Sequence, residues 1–513
     1  MTKLRTLALF SSLARRVGNG RWASTLGWGR TAFAAVLLCS ATATVTSGQT
    51  FKSLLSFDET DGYRPMAGLT QATNGNFYGT TEDGGTCTAD SYGCGTVFEI
   101  TSTGKLTTLY NFCQQIDCTD GWYPEGGLIQ ANDGNFYGTT YLGGSGASCG
   151  AGGGCGTIFK ITPAGELTTL YSFCQLANCA DGLLPAAGLV QATNGNFYGT
   201  TTDGGAGADA IGTVFEITPA GKLTTLHTFN DVVGQEGLSP AAALVQATNG
   251  NFYGTTSAGT GSSGATVFAI TPAGKLTTVH IFDGTDGSEP MAALIQATDG
   301  NFYGTAAYGG TGDSGGTVFK MTPTGKLTTL YNFCQQEGCP DGRNPYGGLV
   351  QATDGNFYGT TYTGGANGWG AVFKITPAGK LTTVHSFDLS DGSYPTAGPI
   401  QATNGTLYGT TYQGGSSGNC EGGCGTVFAL SVGLGPFVET RPTSGKVGAK
   451  VIILGNNLTG STDVTFNGTE ATFTVVSSTE IRTTVPSDAS TGNVQVTTPS
   501  ATLASNVSFH VAP

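Results

Sequence analysis

Short runs of β-branched and aromatic residues punctuate this chain, and their apolar positions fall on both faces. Val97 opposes Phe98 and Ile100, and Leu109 opposes Tyr110 and Phe112, which suits strands covered on two sides rather than sheets with one wet face. Four runs make one unit, here termed a, b, c and d; in the second copy they span 127–131, 135–140, 157–162 and 167–173. An Asn-Gly or Asp-Gly pair joins a to b, a tight hairpin turn that needs positive φ, and a Thr-Pro-Ala-Gly type turn joins c to d. Each unit is therefore expected to form four antiparallel strands.

The string Asn/Asp-Gly-Asn-Phe-Tyr-Gly-Thr marks strand b and starts at Asn74, Asp133, Asn194, Asn249, Asp299, Asp354 and, as NGTLYGT, at Asn404. Its aromatic position (Phe77, Phe136, Phe197, Phe252, Phe302, Phe357, then Leu407) recurs every 50 to 61 residues. Four strands at that period are too long for one coil of a β-solenoid and match a propeller blade. The ends of the array set the count. Residues 51–57 (FKSLLSF) read as a d strand with no a, b or c before it, whereas the seventh unit stops after c. The reading is an all-β, seven-bladed β-propeller over 51–432, closed by the N-terminal d strand so that no sheet edge is left at the seam.

Composition adds a compartment to this picture. Glycine is abundant (84 of 513 residues) and 11% of residues are charged, yet aromatics reach 10% in register with the repeat, which argues for folding. Residues 1–48 hold Lys3, Arg5, Arg15, Arg16, Arg21 and Arg30 and no acid, then an apolar run over 31–38 and the cleavage-like Ala41-Thr42-Ala43. That is the layout of an export signal, and its apolar run is short for a membrane span. Arg15-Arg16 lacks the apolar followers of a twin-arginine signal, and Cys39 follows Leu38 rather than a small residue. Without 1–48, 15 basic residues stand against 34 acidic ones, a net charge of −19 that repels nucleic acid. The expected product is a monomer, exported and without a membrane span.

Apart from Cys39, the cysteines form six local pairs: Cys87–Cys94, Cys113–Cys118, Cys149–Cys155, Cys174–Cys179, Cys334–Cys339 and Cys420–Cys424. Units that lack one member lack both, as disulfides predict, whereas a zinc site would want His or four clustered thiols. Six disulfides imply an oxidising compartment.

Two stretches resemble known families. PTSGKVGAKVIILGNNLTG, with Pro442, Gly445, Gly448, Val451, Ile453, Gly455, Asn457 and Leu458, then Phe466-Asn467-Gly468, Val485-Pro486, Val494, Val496 and Pro499, resembles an IPT/TIG domain over 436–511, after a linker at 433–435. That resemblance implies an immunoglobulin-like β-sandwich serving as a spacer or binding module. GNFYGTT, GTVFKITPAGKLTTLYSF and the following Asp-Gly-x-x-Pro resemble the GloVer tandem-repeat proteins across 51–432, which implies an exported bacterial surface protein and supplies no reaction. More distantly, Asp-Gly-Asn-Phe-Tyr is similar to the strand signature of NHL and virginiamycin-lyase-type propellers. The ending Phe509-His-Val-Ala-Pro513 has neither an apolar tail nor a basic stop, a departure from the anchored pattern of the family.

Candidate chemistry falls on one face. In a propeller the a–b and c–d turns share one face, and here they are uniform; the b–c and d–a loops share the other, vary in length and hold every cysteine pair. Before the repeat proline stand Tyr63-Arg64, Trp122-Tyr123, Leu183-Leu184, Leu238-Ser239, Ser288-Glu289, Arg343-Asn344 and Ser393-Tyr394. The b–c loops add Tyr141, Tyr308, Tyr362, Trp369 and Tyr412, and Tyr346 follows its proline. Tyr63, Arg64, Trp122, Tyr123, Tyr141, Arg343, Tyr346, Tyr362, Trp369, Tyr394 and Tyr412 are thus expected to form an aromatic ligand face on units six, seven, one and two, suited to sugar rings or a protein hot spot. The competing assignment packs these rings on glycine-rich loops and disulfides.

A second constellation is Asp61, Asp120, Asp181, Glu236, Asp286, Asp341 and Asp391, each followed by Gly. A carboxylate ring would suit Ca²⁺, the one cofactor candidate, whereas the bland account is an Asp-Gly turn bonding nearby amides. His227, His280 and His385 replace the tyrosine of Tyr110, Tyr171 and Tyr331 in strand d and read as repeat substitutions rather than catalysts. No catalytic residue is assigned. The leading function is an exported, non-enzymatic binding or adhesion protein for an extracellular glycan or protein. A polysaccharide lyase or hydrolase, with Glu125, Glu289 or Asp203 as its acids, and an architectural envelope protein are the alternatives.

Overall fold

The computed structural model describes residues 49–512 apart from 88–91, 147–153, 208–209, 231–235, 260–263 and 313–314, so the export-signal reading and Cys149 lie outside the described residues. Within them the chain is β-structure with two three-residue 3-10 turns, Ile116–Cys118 and Ala177–Cys179. No helix among the described residues is long and apolar enough to cross a membrane. The first unit contains strands Thr70–Gln71 (a), Phe77–Thr81 (b), Thr96–Ile100 (c) and Leu106–Asn111 (d), hydrogen-bonded in that order. Seven such four-stranded antiparallel sheets are present, propeller-like in their repetition. The last joins both ends of the array: Ile400–Gln401, Leu407–Thr411 and Thr426–Ser431 are completed by Thr50–Ser56, with Phe51 opposite Leu430 and Ser56 opposite Thr426.

Strand a is shorter than its apolar run suggested, two residues where 127–131 spans five. The cause lies between sheets. Thr80 donates to the Gly126 carbonyl of the next unit at 3.1 Å, Thr139 to Ala187 at 2.9 Å and Thr305 to Gly347 at 3.1 Å, so this backbone bonds sideways instead of within its own sheet. The series closes on itself where Thr410 donates to Ala67 at 2.9 Å.

The repeated string supplies the rest of the joint. Each strand-b tyrosine packs on the next unit's phenylalanine, Tyr78 on Phe136 at 4.0 Å and Tyr303 on Phe357 at 4.1 Å, and Tyr408 returns to Phe77 at 4.1 Å. Where the phenylalanine has become Leu407, that leucine shares a core cluster with Tyr358 and Phe428. The string's glycine is a matter of space: a Cβ on Gly304 would stand 2.6 Å from the ring of Phe319 in strand c, and the other copies show the same crowding.

The C-terminal region forms two four-stranded sheets. One is ordered Glu439–Arg441, Lys450–Leu454, Glu480–Thr484, Phe473–Val475; the other Thr469–Glu470, Asp463–Phe466, Val494–Thr497, Thr502–Ala504. Val451, Ile453, Val464, Phe466, Val496 and Phe509 are buried between them. This sandwich rests on a–b turns. Arg441 donates to the Gln71 carbonyl at 2.8 Å, Thr479 to the Thr73 carbonyl at 2.7 Å, and Asn456 to Thr403 at 2.6 Å. The Phe437 amide bonds the Thr403 carbonyl at 3.0 Å, and the linker carbonyls press on Gly405, where no side chain would fit. The second domain is therefore seated on the a–b turns of the first unit and of the degenerate seventh copy of the string.

Candidate functional site

Strand b runs from the a–b turn at one end to the b–c loop at the other, so the sandwich sits on the uniform face and the variable loops lie at the opposite one. There the d–a and b–c loops of each unit are tied together. Tyr63 exchanges backbone bonds with Asp83 at 3.0 Å each way, and equivalent bridges join Trp122 to Leu142, Leu183 to Asp203, Leu238 to Ala258, Ser288 to Tyr308, Arg343 to Thr363 and Ser393 to Gln413.

The next residue adopts a left-handed backbone in all seven units: Arg64, Tyr123, Leu184, Ser239, Glu289, Asn344 and Tyr394 have φ between 53° and 58°. None is glycine, and each precedes the repeat proline, whose fixed φ limits the next step of the chain. The kink delivers the residue after the proline to a shared place. Met66, Glu125, Ala186, Ala241, Met291, Tyr346 and Thr396, one from each unit, line a cavity of about 440 Å³ together with Tyr362 and Tyr412. Residues from all seven units meeting in one cavity place it on the ring axis.

Aromatic groups ring part of this mouth. Tyr346 meets Tyr362 edge to face at 5.1 Å, Tyr362 stacks on Tyr394 at 4.9 Å, and Trp369 abuts Tyr394 at 5.3 Å. Tyr308 adds a hydroxyl contact to Tyr346. Arg64 lies 4.6 Å from the Tyr63 ring centre and 5.3 Å from that of Tyr412, and pairs with Asp83 at 3.1 Å. Tyr412 hydrogen-bonds Glu82. Burial, the neighbouring Asp83 and incomplete compensation by Arg64 push Glu82 up to about 7; burial and the nearby Glu82 and Asp83 push Glu125 up to about 8.

The sequence-predicted residues divide accordingly. Tyr346, Tyr362, Trp369, Tyr394, Tyr412 and Arg64 come together around the mouth. Tyr141 approaches it from the second unit, near enough to feel Glu125 and Asp203. Tyr63 and Trp122 do not present a platform: they are 4% and 9% exposed. Trp122 packs with Cys94, Cys118 and Phe112, as the packing assignment expects, and the Tyr123 ring lies tilted against it at 4.8 Å. Arg343 is exposed on its loop.

The seven acids serve their own loops. Asp120, fully buried, accepts from the Tyr110 hydroxyl at 2.7 Å and the Gln114 amide at 2.9 Å; Asp181 does the same with Tyr171 and Gln175. Asp341 takes Tyr331 at 2.9 Å, Asp286 takes His280 at 2.7 Å, Asp391 takes His385 at 2.8 Å, and Glu236 lies 3.3 Å from His227. Asp61 bonds the Asp58 amide at 2.8 Å, and burial pushes it up to about 6; its strand-d neighbour is Leu55, which has no donor. The histidines thus replace tyrosine as donors to the loop carboxylate. The one group of three metal-capable side chains converging within 4.8 Å among the described residues is Cys155, Cys174 and Cys179, of which the last two are joined as a disulfide. Disulfides also join Cys87 to Cys94, Cys113 to Cys118, Cys334 to Cys339 and Cys420 to Cys424.

Reading the loops one by one missed the ring after the proline. Its signal was present, since the Asp-Gly-x-x-Pro phrase aligns Glu125 with Tyr346 and Met66, but alanine and threonine at other copies hide a shared wall.

The sequence matches the Gloeobacter/Verrucomicrobia repeat over 42–247, 148–340, 207–428 and 335–471, and the IPT/TIG domain over 438–511. No curated protein matches the chain. Among solved structures, a fungal alcohol oxidase of the AA5 family in complex with copper is similar over 91% of this chain and 99% of its own, at 13% identity and a TM-score of 0.51. Proposed 6-phosphogluconolactonases from Bacteroides uniformis (15% identity, 67% of this chain and 87% of that one, TM-score 0.43) and Bacteroides fragilis (18%, 72% and 88%, 0.41) are also similar. At such identity the oxidase likeness bears on fold alone, and the other two carry no argument.

Proposed function

This chain belongs to the Gloeobacter/Verrucomicrobia repeat family, and from that premise we propose that it is an exported binding protein whose ligand, a glycan or a protein, enters the axial cavity on the variable-loop face. The observation that carries this reading is the cavity itself: seven equivalent positions converge on one mouth, walled by Tyr346, Tyr362 and Tyr412. Its volume falls in the range of small-molecule sites, about 300–1,000 Å³. The Ig-like sandwich occupies the opposite face, which supports a spacer role and leaves the mouth uncovered. The test is a glycan and protein array probed with the purified protein and with Tyr346→Ala/Tyr362→Ala. Binding that the double variant loses supports the reading, whereas equal binding by both proteins moves the ligand elsewhere.

One observation favours a second reading. A carboxyl raised to about 8 in a cavity is placed to act as a general acid, so Glu125 fits a polysaccharide lyase or hydrolase. New chain ends released from a panel glycan, and lost in Glu125→Gln, would establish it; intact glycans after prolonged incubation favour simple binding.

A further inference from the structure

We propose that the group seated in the axial mouth is a primary amine carried on a sugar ring, with Glu125 as its carboxylate partner and tyrosine faces around it. This rests on the binding reading above and names its ligand class. The first ground is an excess of negative charge. Glu125 lines the cavity and takes part in no hydrogen bond or ion pair among the described residues. Glu82 and Asp83 act on it, and beyond them Asp203 acts on Tyr141 and Glu289 on Tyr346. Against these five acids stands Arg64, already paired with Asp83. One Glu82 oxygen is buried with no hydrogen-bond partner, while the carboxyl's other bond goes to Tyr412. Like charges withdrawn from water resist ionisation unless a cation joins them, and the upward shifts of Glu82 and Glu125 are that resistance. An anionic saccharide would meet the same charges as repulsion.

The second ground separates an organic cation from a metal. Ca²⁺ takes roughly six to eight oxygens at about 2.3–2.6 Å. Glu82, Asp83 and Glu125 do not gather their oxygens within 4.8 Å as a group. A single carboxylate in the cavity wall, with further acids acting on it from behind, suits an ammonium group on a larger skeleton, which also gains attraction from aromatic faces. The source of the amine follows from shape. A cavity of about 440 Å³ with flat rings bearing hydroxyls receives a sugar ring, whereas stable docking of a protein buries about 1,600 Å² in total.

The experiment is titration calorimetry of the purified protein with a fully de-N-acetylated glucosamine tetrasaccharide, its fully N-acetylated counterpart, a uronate tetrasaccharide and a lysine tetrapeptide. The amine saccharide is expected to bind at least ten-fold tighter than the acetylated one, and Glu125→Gln should erase that preference. Its affinity should be highest at about pH 7 and fall on either side, because below it Glu82 and Glu125 hold their protons and above it the sugar amine gives up its own, while that of the acetylated sugar stays level. Equal binding of both sugars, abolished by Tyr346→Ala/Tyr362→Ala, would overturn the amine assignment and leave the binding reading intact. Preference for the uronate would overturn it as well, and tighter binding of the lysine peptide would overturn its saccharide half. Binding of none of the four overturns the inference, and the array described above then decides the wider reading.

Discussion

At the residue scale, the backbone ahead of each repeat proline is held where ordinary side chains rarely sit. A left-handed conformation costs about 1–2 kcal/mol for a residue with a Cβ, and more for a β-branched one. Ser239, at φ 53°, is half-buried and its amide donates to the Ile211 carbonyl at 3.1 Å. Ser239→Gly should therefore leave stability unchanged or raise it by up to about 1 kcal/mol, and Ser239→Val should lower it by about 1–2 kcal/mol, as read from denaturant midpoints. Charge at the mouth gives a second expectation. Carboxyls raised to about 6 (Asp61), 7 (Glu82) and 8 (Glu125) keep their protons in the folded chain after the unfolded chain has lost them near its ordinary values. The folded state then binds more protons than the unfolded one, so stability falls as pH rises from about 4.5 to 8. The melting temperature should be higher at pH 5 than at pH 8, and Glu82→Gln/Glu125→Gln should narrow that gap.

At the scale of the element, strand b changes little from copy to copy because each position answers a different neighbour. Phenylalanine meets the preceding tyrosine, tyrosine meets the following phenylalanine, threonine bonds the next unit's carbonyl, and glycine makes room for the strand-c ring. The tyrosine hydroxyl also links turn chemistry to strand c. Where the turn begins with Asp299 or Asp354, strand c offers Lys320 or Lys374, each at 2.8 Å; where it begins with Asn74 or Asn194, the partner is Glu99 or Glu216. Gly304→Ala should cost about 1–3 kcal/mol by overpacking against Phe319, although alanine is the smallest change available. Thermal melts against the wild-type protein check it, and an unchanged melting temperature would mean that strand c yields. Variation at strand d is equally local. Tyrosine reaches a carboxylate ten residues on, across the disulfide-bearing loops, and histidine at 280 and 385 reaches one six residues on across loops without cysteine.

At the scale of the molecule, everything depends on a ring whose seam is made from its two ends. Thr50–Ser56 covers Thr426–Ser431, and Phe51 stacks on His385 at 3.7 Å. Deleting 50–56 should expose a full strand edge, lower the melting temperature by well over the effect of any single substitution above, and induce association visible by light scattering. A monomeric deletion variant with an unchanged transition would show that the seam carries no stability. Much of this was legible along the chain: four strands per unit, the turns between them and the described cysteine pairs are written within about one repeat length, where hydrophobic period and turn residues act directly, and the seventh d strand was legible from the incomplete units at the two ends of the array. Tyr346, Tyr362 and Tyr412 were legible too, as aromatics in variable loops. Trp122 was legible as one of two alternatives, ligand face or packing on loops and disulfides, and the disulfide-bearing loop of the neighbouring unit decides for packing. The axial cavity was not legible, since Met66 and Thr396 lie 330 positions apart in sequence and share a wall only once all seven units are placed. The sequence by itself determined what each unit is, because strand and turn formation answer to near neighbours. Only the tertiary structure decided which residues meet on the axis and which face the second domain covers, because those contacts arise from the relative placement of whole sheets.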